Sequence, residues 1–310
     1  MILLSIAGFT NIGYRIHSRH HDPVTTDMTG RTVVITGATG GLGRACAEAI
    51  AALGARTIVV GRDAEKLDAV EREIGGSVAA YQADLSLMSE IRDLVERLRV
   101  EDRIDVLVNN VGVLLPERTE TAEGLEATLA TDLAGQFLLT NLLIPRLVEN
   151  GDSRIVNVTS GGMYSERIRP RDLQFQRREY SGTTAYAHAK RGQVILTEMW
   201  ARRLEGTGVS VHAMHPGWAN TPGVAGSLPL FDKLMGPLLR TPEQGADTMV
   251  WLAAAAEPAA SSGELWFDRE IVPKHFLERT RESERDRQTL WEGLVALTGS
   301  DFAALPAGGS

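Results

Sequence analysis

From Gly30 onward, short apolar runs rich in β-branched residues alternate with stretches whose apolar positions recur at helical spacing. The strand-like runs are residues 32–35, 57–60, 78–82, 106–109, 154–159, 209–214 and 264–267. The helical stretches between them are 44–53, 64–74, 87–99, 123–149, 184–204 and 243–256. Regular alternation of this kind predicts a parallel sheet, because each return to the same edge needs a crossover, and right-handed crossovers place helices on both faces. The expected fold class is α/β, a doubly wound parallel sheet of about seven strands in one domain. Pro145 lies inside the longest helical stretch and is expected to kink it or end it early.

Two segments interrupt the alternation, 161–183, rich in Arg and Gly, and 222–242, with four prolines. Both start where a strand ends, and in an open parallel sheet ligands bind beyond those carboxyl ends, so both are expected to wall a substrate. The second carries Leu228, Leu230, Phe231, Leu234, Met235 and Leu238, which suit either a lipophilic substrate or packing on their own domain. The chain is therefore divided into an appended segment 1–27, a catalytic domain 28–272 containing both loops, and a tail 273–310 with one amphipathic helix near 281–297. Residues 1–9 are apolar but far short of the roughly 20 needed to cross a bilayer. No basic run precedes them as in a secretory signal. A helix packed on the domain is expected there, with peripheral membrane contact as the alternative.

Composition narrows the partners. The 310 residues carry a net charge of −8 with Lys and Arg dispersed, which offers no basic stripe for nucleic acid. The single cysteine, Cys46, sits among small apolar residues and reads as a packed thiol, in keeping with a reducing, cytoplasmic setting. His17, His20 and His21 form the densest histidine group, but no cysteine or carboxylate cluster completes a ligand pattern, and no metal is expected.

Candidate chemistry begins at Thr36-Gly37-Ala38-Thr39-Gly40-Gly41-Leu42-Gly43, between the first strand and the first helix of the alternation. A strand turning sharply into a helix leaves unpaired N–H groups aimed at one spot, where a diphosphate can accept them. Gly37 suits the tight turn, Gly41 the close approach of phosphate, and Gly43 the packing of helix on strand. Further on, Tyr186 and Lys190 stand four apart in a helical stretch, so phenol and ammonium share a face and the positive charge favours phenolate. Ser160 is delivered by the end of the preceding strand to the same crevice.

These motifs resemble the short-chain dehydrogenases/reductases. The Thr36–Gly43 cradle, Asp84-Leu85, Asn109-Asn110-Val111-Gly112, Ser160, Tyr186 with Lys190, and Pro216-Gly217 followed by Thr221 occur in that family's order across about residues 28 to 270. The resemblance implies a Rossmann-type sheet and hydride exchange between a nicotinamide dinucleotide and a carbonyl or alcohol. It makes Tyr186 the proton donor or acceptor, Ser160 the donor to the developing oxyanion, and Lys190 the holder of the nicotinamide ribose. Thr159 becomes a structural neighbour of Ser160. The adenosine side falls to Asp84, Leu85, Asn110 and Gly112, with Asn109 either sharing that role or tying strands together. Thr221 would reach the carboxamide, and Pro216-Gly217 would shape the turn beneath the ring.

At the end of the second strand the family's ribose-binding acid is replaced by Gly61, followed by Arg62, which suits a 2′-phosphate. NADP(H) is expected, while nearby Asp63 leaves NAD(H) open; Arg44 could help neutralise phosphate or be a solvated helix residue. Asp132 stands where the family has an Asn that bends the fourth helix and holds a water in the proton relay. A carboxylate accepts from such a water but cannot donate. Asp132 is thus counted with the catalytic residues and is also the ground for the alternative reading, an NADP(H)-binding regulatory or scaffold protein with weakened catalysis. Family members often pair through their fourth and fifth helices, which allows a homo-oligomer of unspecified number.

Overall fold

The apolar runs become neighbouring strands in the computed structural model, which describes residues 7–220 and 235–302. In chain order the elements are α1 (Asn11–His17), β1 (Thr32–Thr36), α2 (Gly41–Ala52), β2 (Arg56–Gly61), α3 (Ala64–Ile74), β3 (Val78–Gln82), α4 (Met88–Arg97) and β4 (Val106–Asn109). Then come α5 (Ala127–Leu129), a π-helical turn (Ala130–Ala134), α6 (Gly135–Asn150), β5 (Ser153–Val158), α7 (Gly182–Arg203), β6 (Val209–Met214), α8 (Pro242–Ala254), β7 (Leu265–Phe267), β8 (Glu270–Ile271) and α9 (Glu284–Thr298). The strands lie in the order β3-β2-β1-β4-β5-β6-β7-β8. All pairs are parallel up to β7, and the order reverses beside β1, which creates the crevice where such sheets bind ligands.

Alternation along the strands supplies both core layers. Within β1, Val34 faces the layer that also holds Ile91, Leu133, Phe137 and Trp200, whereas Val33 and Ile35 face the layer with Ile50, Met249 and Trp266. Burial on both faces explains why the strands read as nearly continuous apolar runs.

Two expectations change. An eighth strand, β8, pairs antiparallel with β7 through Trp266↔Ile271 and Phe267↔Glu270. Two residues carry no periodicity, and the hairpin turns on Asp268 and Arg269 at φ 48° and 59°, without the Gly that usually announces such a turn. Pro145 neither ends nor shortens its helix, since α6 runs on to Asn150. Its ring lies on an exposed face, where a helix can curve away from the core at little cost. Residues 127–150 form the one described helix apolar and long enough to cross a membrane, yet 89% of its apolar window is buried inside the fold, as a core helix is.

Candidate active site

The cradle follows from local backbone requirements. Gly37 and Gly41 adopt φ 65° and 55°, which glycine reaches without strain. A Cβ on Gly43 would lie 2.4 Å from the Gly37 carbonyl oxygen, so only glycine lets α2 approach β1 this closely. No side chain caps α2 at Gly40, leaving its first N–H groups to an outside acceptor. Leu42 points to α8, where a Cβ on Gly245 would meet its Cδ2 at 2.4 Å.

Side chains at the ends of β1 and β4 hold the cradle together. Thr36 Oγ1 accepts from the N–H groups of Asn110 (2.9 Å) and Val111 (3.1 Å) and donates to the Val108 carbonyl (3.2 Å). Asn110 Nδ2 donates to the carbonyls of Thr36 (2.8 Å) and Gly37 (3.2 Å). Asn109, by contrast, is fully buried and donates to Asn157 and Thr140, both at 2.9 Å. That is the strand-tying role of the two left open for it.

The end of β2 is crowded by the cradle. A Cβ on Gly61 would come within 2.7 Å of Thr39 Cγ2, so a larger residue there would have to displace the Thr39 side chain. Asp63 instead caps α3, accepting from the Lys66 N–H at 3.1 Å with Lys66 Nζ at 3.2 Å. Arg44 is tied to Glu48 (2.8 Å) and Glu73 (2.6 Å), the solvated alternative. Arg62 is exposed and, among the described residues, its side chain enters no ion pair. Asp84 Oδ1 accepts from the Ser86 N–H at 2.9 Å, which fixes the carboxyl group at the end of β3. The Leu85 carbonyl lies where a Cβ on Gly135 would come within 2.1 Å, so Gly135 lets the π-turn region close onto that loop.

Ser160, Tyr186 and Lys190 converge beyond β5. Thr159 Oγ1 donates to the Lys190 carbonyl at 2.8 Å, pinning the strand end to α7 as a structural neighbour should. Ser160 Oγ accepts from the Gly162 N–H at 3.3 Å and is hydrogen-bonded to Tyr186. Lys190 Nζ lies 5.4 Å from the Tyr186 ring centroid and donates to the Val158 carbonyl at 3.1 Å.

Asp132 completes this group from the π-turn. Its Oδ1 accepts from the Val113 N–H at 2.7 Å, and its Oδ2 lies 3.7 Å from Lys190 Nζ. Gly112 borders that pair, since a Cβ there would come within 3.0 Å of Nζ and 3.3 Å of Oδ2. Both charged groups are buried, and burial dominates both. It pushes Asp132 up to about 6 against the opposing pull of Lys190 and the Val113 N–H. The same desolvation pulls Lys190 down, opposed by Asp132.

Tyr186 departs from the sequence expectation of a depressed phenol. Burial raises it, the Asp132 charge raises it further, and only the Ser160 hydrogen bond opposes them. The main cause is burial of the phenol, to which the Asp132 carboxylate adds.

The opposite wall is built by the turn after β6. Gly217 has φ 76°, and a Cβ there would come within 2.4 Å of Arg240 Nε. Pro216 and Gly217 thus form a turn pressed onto a buried guanidinium. Thr221, Leu228, Leu230, Phe231 and Leu234 lie outside the described residues.

Residues 31–228 match the family model for short chain dehydrogenases. The chain belongs to the short-chain dehydrogenases/reductases. Among its relatives, dehydrogenase/reductase SDR family member 12 of Bos taurus is 37% identical over 298 residues, covering 93% of each chain. Human retinol dehydrogenase 13 is 36% identical over 294 residues, covering 89% of this chain and 87% of the relative. In structure, this short-chain dehydrogenase/reductase resembles an uncharacterised protein of Mycobacterium paratuberculosis, with TM-score 0.74, 28% identity, and coverage of 90% and 97%. The family and fold make it an oxidoreductase of CH–OH and C=O groups that uses a nicotinamide dinucleotide.

Proposed function

We propose that this chain reduces a carbonyl, or oxidises the corresponding alcohol, with NADP(H), using Ser160, Tyr186 and Lys190. The observation that carries the reading is the joint placement of a glycine cradle intolerant of Cβ atoms and a hydroxyl–phenol–ammonium group on one sheet edge. The cradle of Thr36, Gly37, Thr39, Gly41, Leu42 and Gly43 would hold the diphosphate, with Arg62 at the 2′-phosphate. Asp84, Leu85, Asn110 and Gly112 would line the adenosine side, Lys190 the nicotinamide ribose, and Pro216, Gly217 and Thr221 the ring. Bound NADP(H) supplies the hydride. Ser160 Oγ would donate to the substrate oxygen, and Tyr186 would pass its phenolic proton to that oxygen as charge develops there. The raised phenol supports proton donation, hence reduction, at neutral pH. Exposed Leu238 and the relative named retinol dehydrogenase support a lipophilic substrate. The buried Cys46 thiol, pushed up to about 12 by burial, would be inert and suits a cytoplasmic setting.

Cofactor choice rests on Arg62. Arg62→Ala is expected to raise the KM for NADPH on the order of tenfold or more, the loss of a charge-assisted contact, and to leave the KM for NADH unchanged. Steady-state kinetics with both dinucleotides checks this, and an unchanged NADPH KM would sink the assignment.

Asp132 is expected to hold Tyr186 protonated. Ionised above about pH 6, the carboxylate raises the phenol; below that pH it is neutral and the effect fades. Asp132→Asn should therefore retain or raise alcohol oxidation at neutral pH, by at most about tenfold for each pKa unit of relief, and should lose the inflection that the wild-type profile shows near pH 6. pH–rate profiles of the two proteins measure both effects. Collapse of activity in Asp132→Asn would instead give the carboxylate a required role.

A further inference from the structure

The N-terminal segment reaches the nicotinamide side of the proposed site. Phe9 lies among the rings of His215, Trp218 and Phe267, at centroid distances of 4.8, 5.7 and 5.4 Å. Its carbonyl accepts from the Trp218 N–H at 2.8 Å and from Arg240 Nε at 3.2 Å, while the Gly8 carbonyl accepts from Arg240 Nη2 at 2.8 Å. Arg240 is buried and pairs with both Asp268 oxygens, at 2.5 and 2.8 Å. Asp268 Oδ2 in turn lies 2.7 Å from His17 Nδ1 on α1.

This assembly holds the turn at Pro216, Gly217 and Trp218 from below. Arg240 Nη1 donates to the Pro216 carbonyl at 3.4 Å, and its backbone N–H donates to the Trp218 carbonyl at 2.7 Å. The turn leaves the sheet after β6, so these bonds replace the ladder that would otherwise order its backbone. The contact extends toward Ser160. His215 Nδ1 accepts from the Gly217 N–H at 3.1 Å, and a Cβ on Gly161 would meet His215 Nε2 at 3.0 Å. Phe9 therefore packs on a ring that borders both the turn and the residue following Ser160.

We propose that Phe9 is a positioning residue for the nicotinamide side of the site: the N-terminal segment fixes the Pro216–Gly217–Trp218 turn, and the domain without it holds a complete adenosine side but a loose nicotinamide side. The inference rests on the assignment of NADP(H) and of Pro216-Gly217 to its ring. Removing the Phe9 ring opens space under His215 and Trp218, and small displacements of a positioning group weaken the contacts it sets.

The test compares two ligands on the full chain. NADPH and 2′-phospho-ADP-ribose, which lacks the nicotinamide, are titrated calorimetrically into wild type, Phe9→Ala and Phe9→Leu, with urea midpoints measured alongside. Phe9→Ala is expected to weaken NADPH on the order of tenfold and to leave 2′-phospho-ADP-ribose unchanged, with Phe9→Leu showing a smaller loss of the same selectivity. If Phe9→Ala does not fold, Phe9→Leu carries the contrast. Equal weakening of both ligands, or NADPH binding that is unchanged, overturns the inference. Wild-type protein that binds neither ligand overturns the cofactor assignment, and this inference with it.

Discussion

Tyr186→Phe is expected to lower the kcat of carbonyl reduction by about 100- to 10,000-fold, the usual worth of a positioned proton donor, while NADPH binding is retained. Only the phenolic oxygen is removed. The ring remains on α7, with Lys190 one helical turn away and still donating to the Val158 carbonyl at 3.1 Å. The reaction would then lack its proposed proton donor as hydride arrives. Ser160→Ala should cost less, since it removes one hydrogen bond to developing charge and leaves the proton source. Single-turnover kinetics with bound NADPH separates the chemical step from binding. Tyr186→Phe turnover near the wild-type rate would remove Tyr186 from the mechanism.

The largest stability effect is expected at Asp268. Arg240 and Asp268 are each buried, 1% and 2% exposed, and their charges compensate one another. Asp268→Ala leaves the guanidinium without its carboxylate and should destabilise the fold by about 3–5 kcal/mol. Arg240→Met combined with Asp268→Asn removes both charges at similar volume and should lose less than Asp268→Ala alone. Urea unfolding of the three proteins checks the ordering. A loss in Asp268→Ala within about 0.5 kcal/mol, the range of an ordinary surface change, would mean that water reaches the guanidinium.

The parts of the fold that could be read from sequence are those governed by short-range pattern. Val33, Val34 and Ile35 announce β1 because a strand buried on both faces must be apolar throughout, and the cradle beside it announces itself because glycine reaches the φ of Gly37 and Gly41 without strain. Ser160, Tyr186 and Lys190 could be placed at one edge because parallel topology sends every strand end there. The missing parts depend on partners far apart in the chain. Phe9 and Arg240 meet across 231 positions, and neither residue alone signals the contact. Lys190 has the spacing to activate Tyr186, but burial of the phenol raises it, and so does Asp132, which approaches from another helix to 3.7 Å from Lys190. Gly112, expected on the adenosine side, also borders that ion pair, a neighbourhood that no spacing announces. The two-residue β8 is too short for any periodicity to reveal.

If the proposed function holds, the cradle and the Ser160–Tyr186–Lys190 group work together in one reductase. The most direct measurement follows NADPH absorbance while the full chain is incubated with a panel of aldehydes and ketones that includes lipophilic ones, using Tyr186→Phe as the blank. Steady NADPH consumption is expected with at least one lipophilic carbonyl and none in the blank. Stoichiometric NADPH binding without turnover across the panel would contradict that function and favour a regulatory or scaffold role.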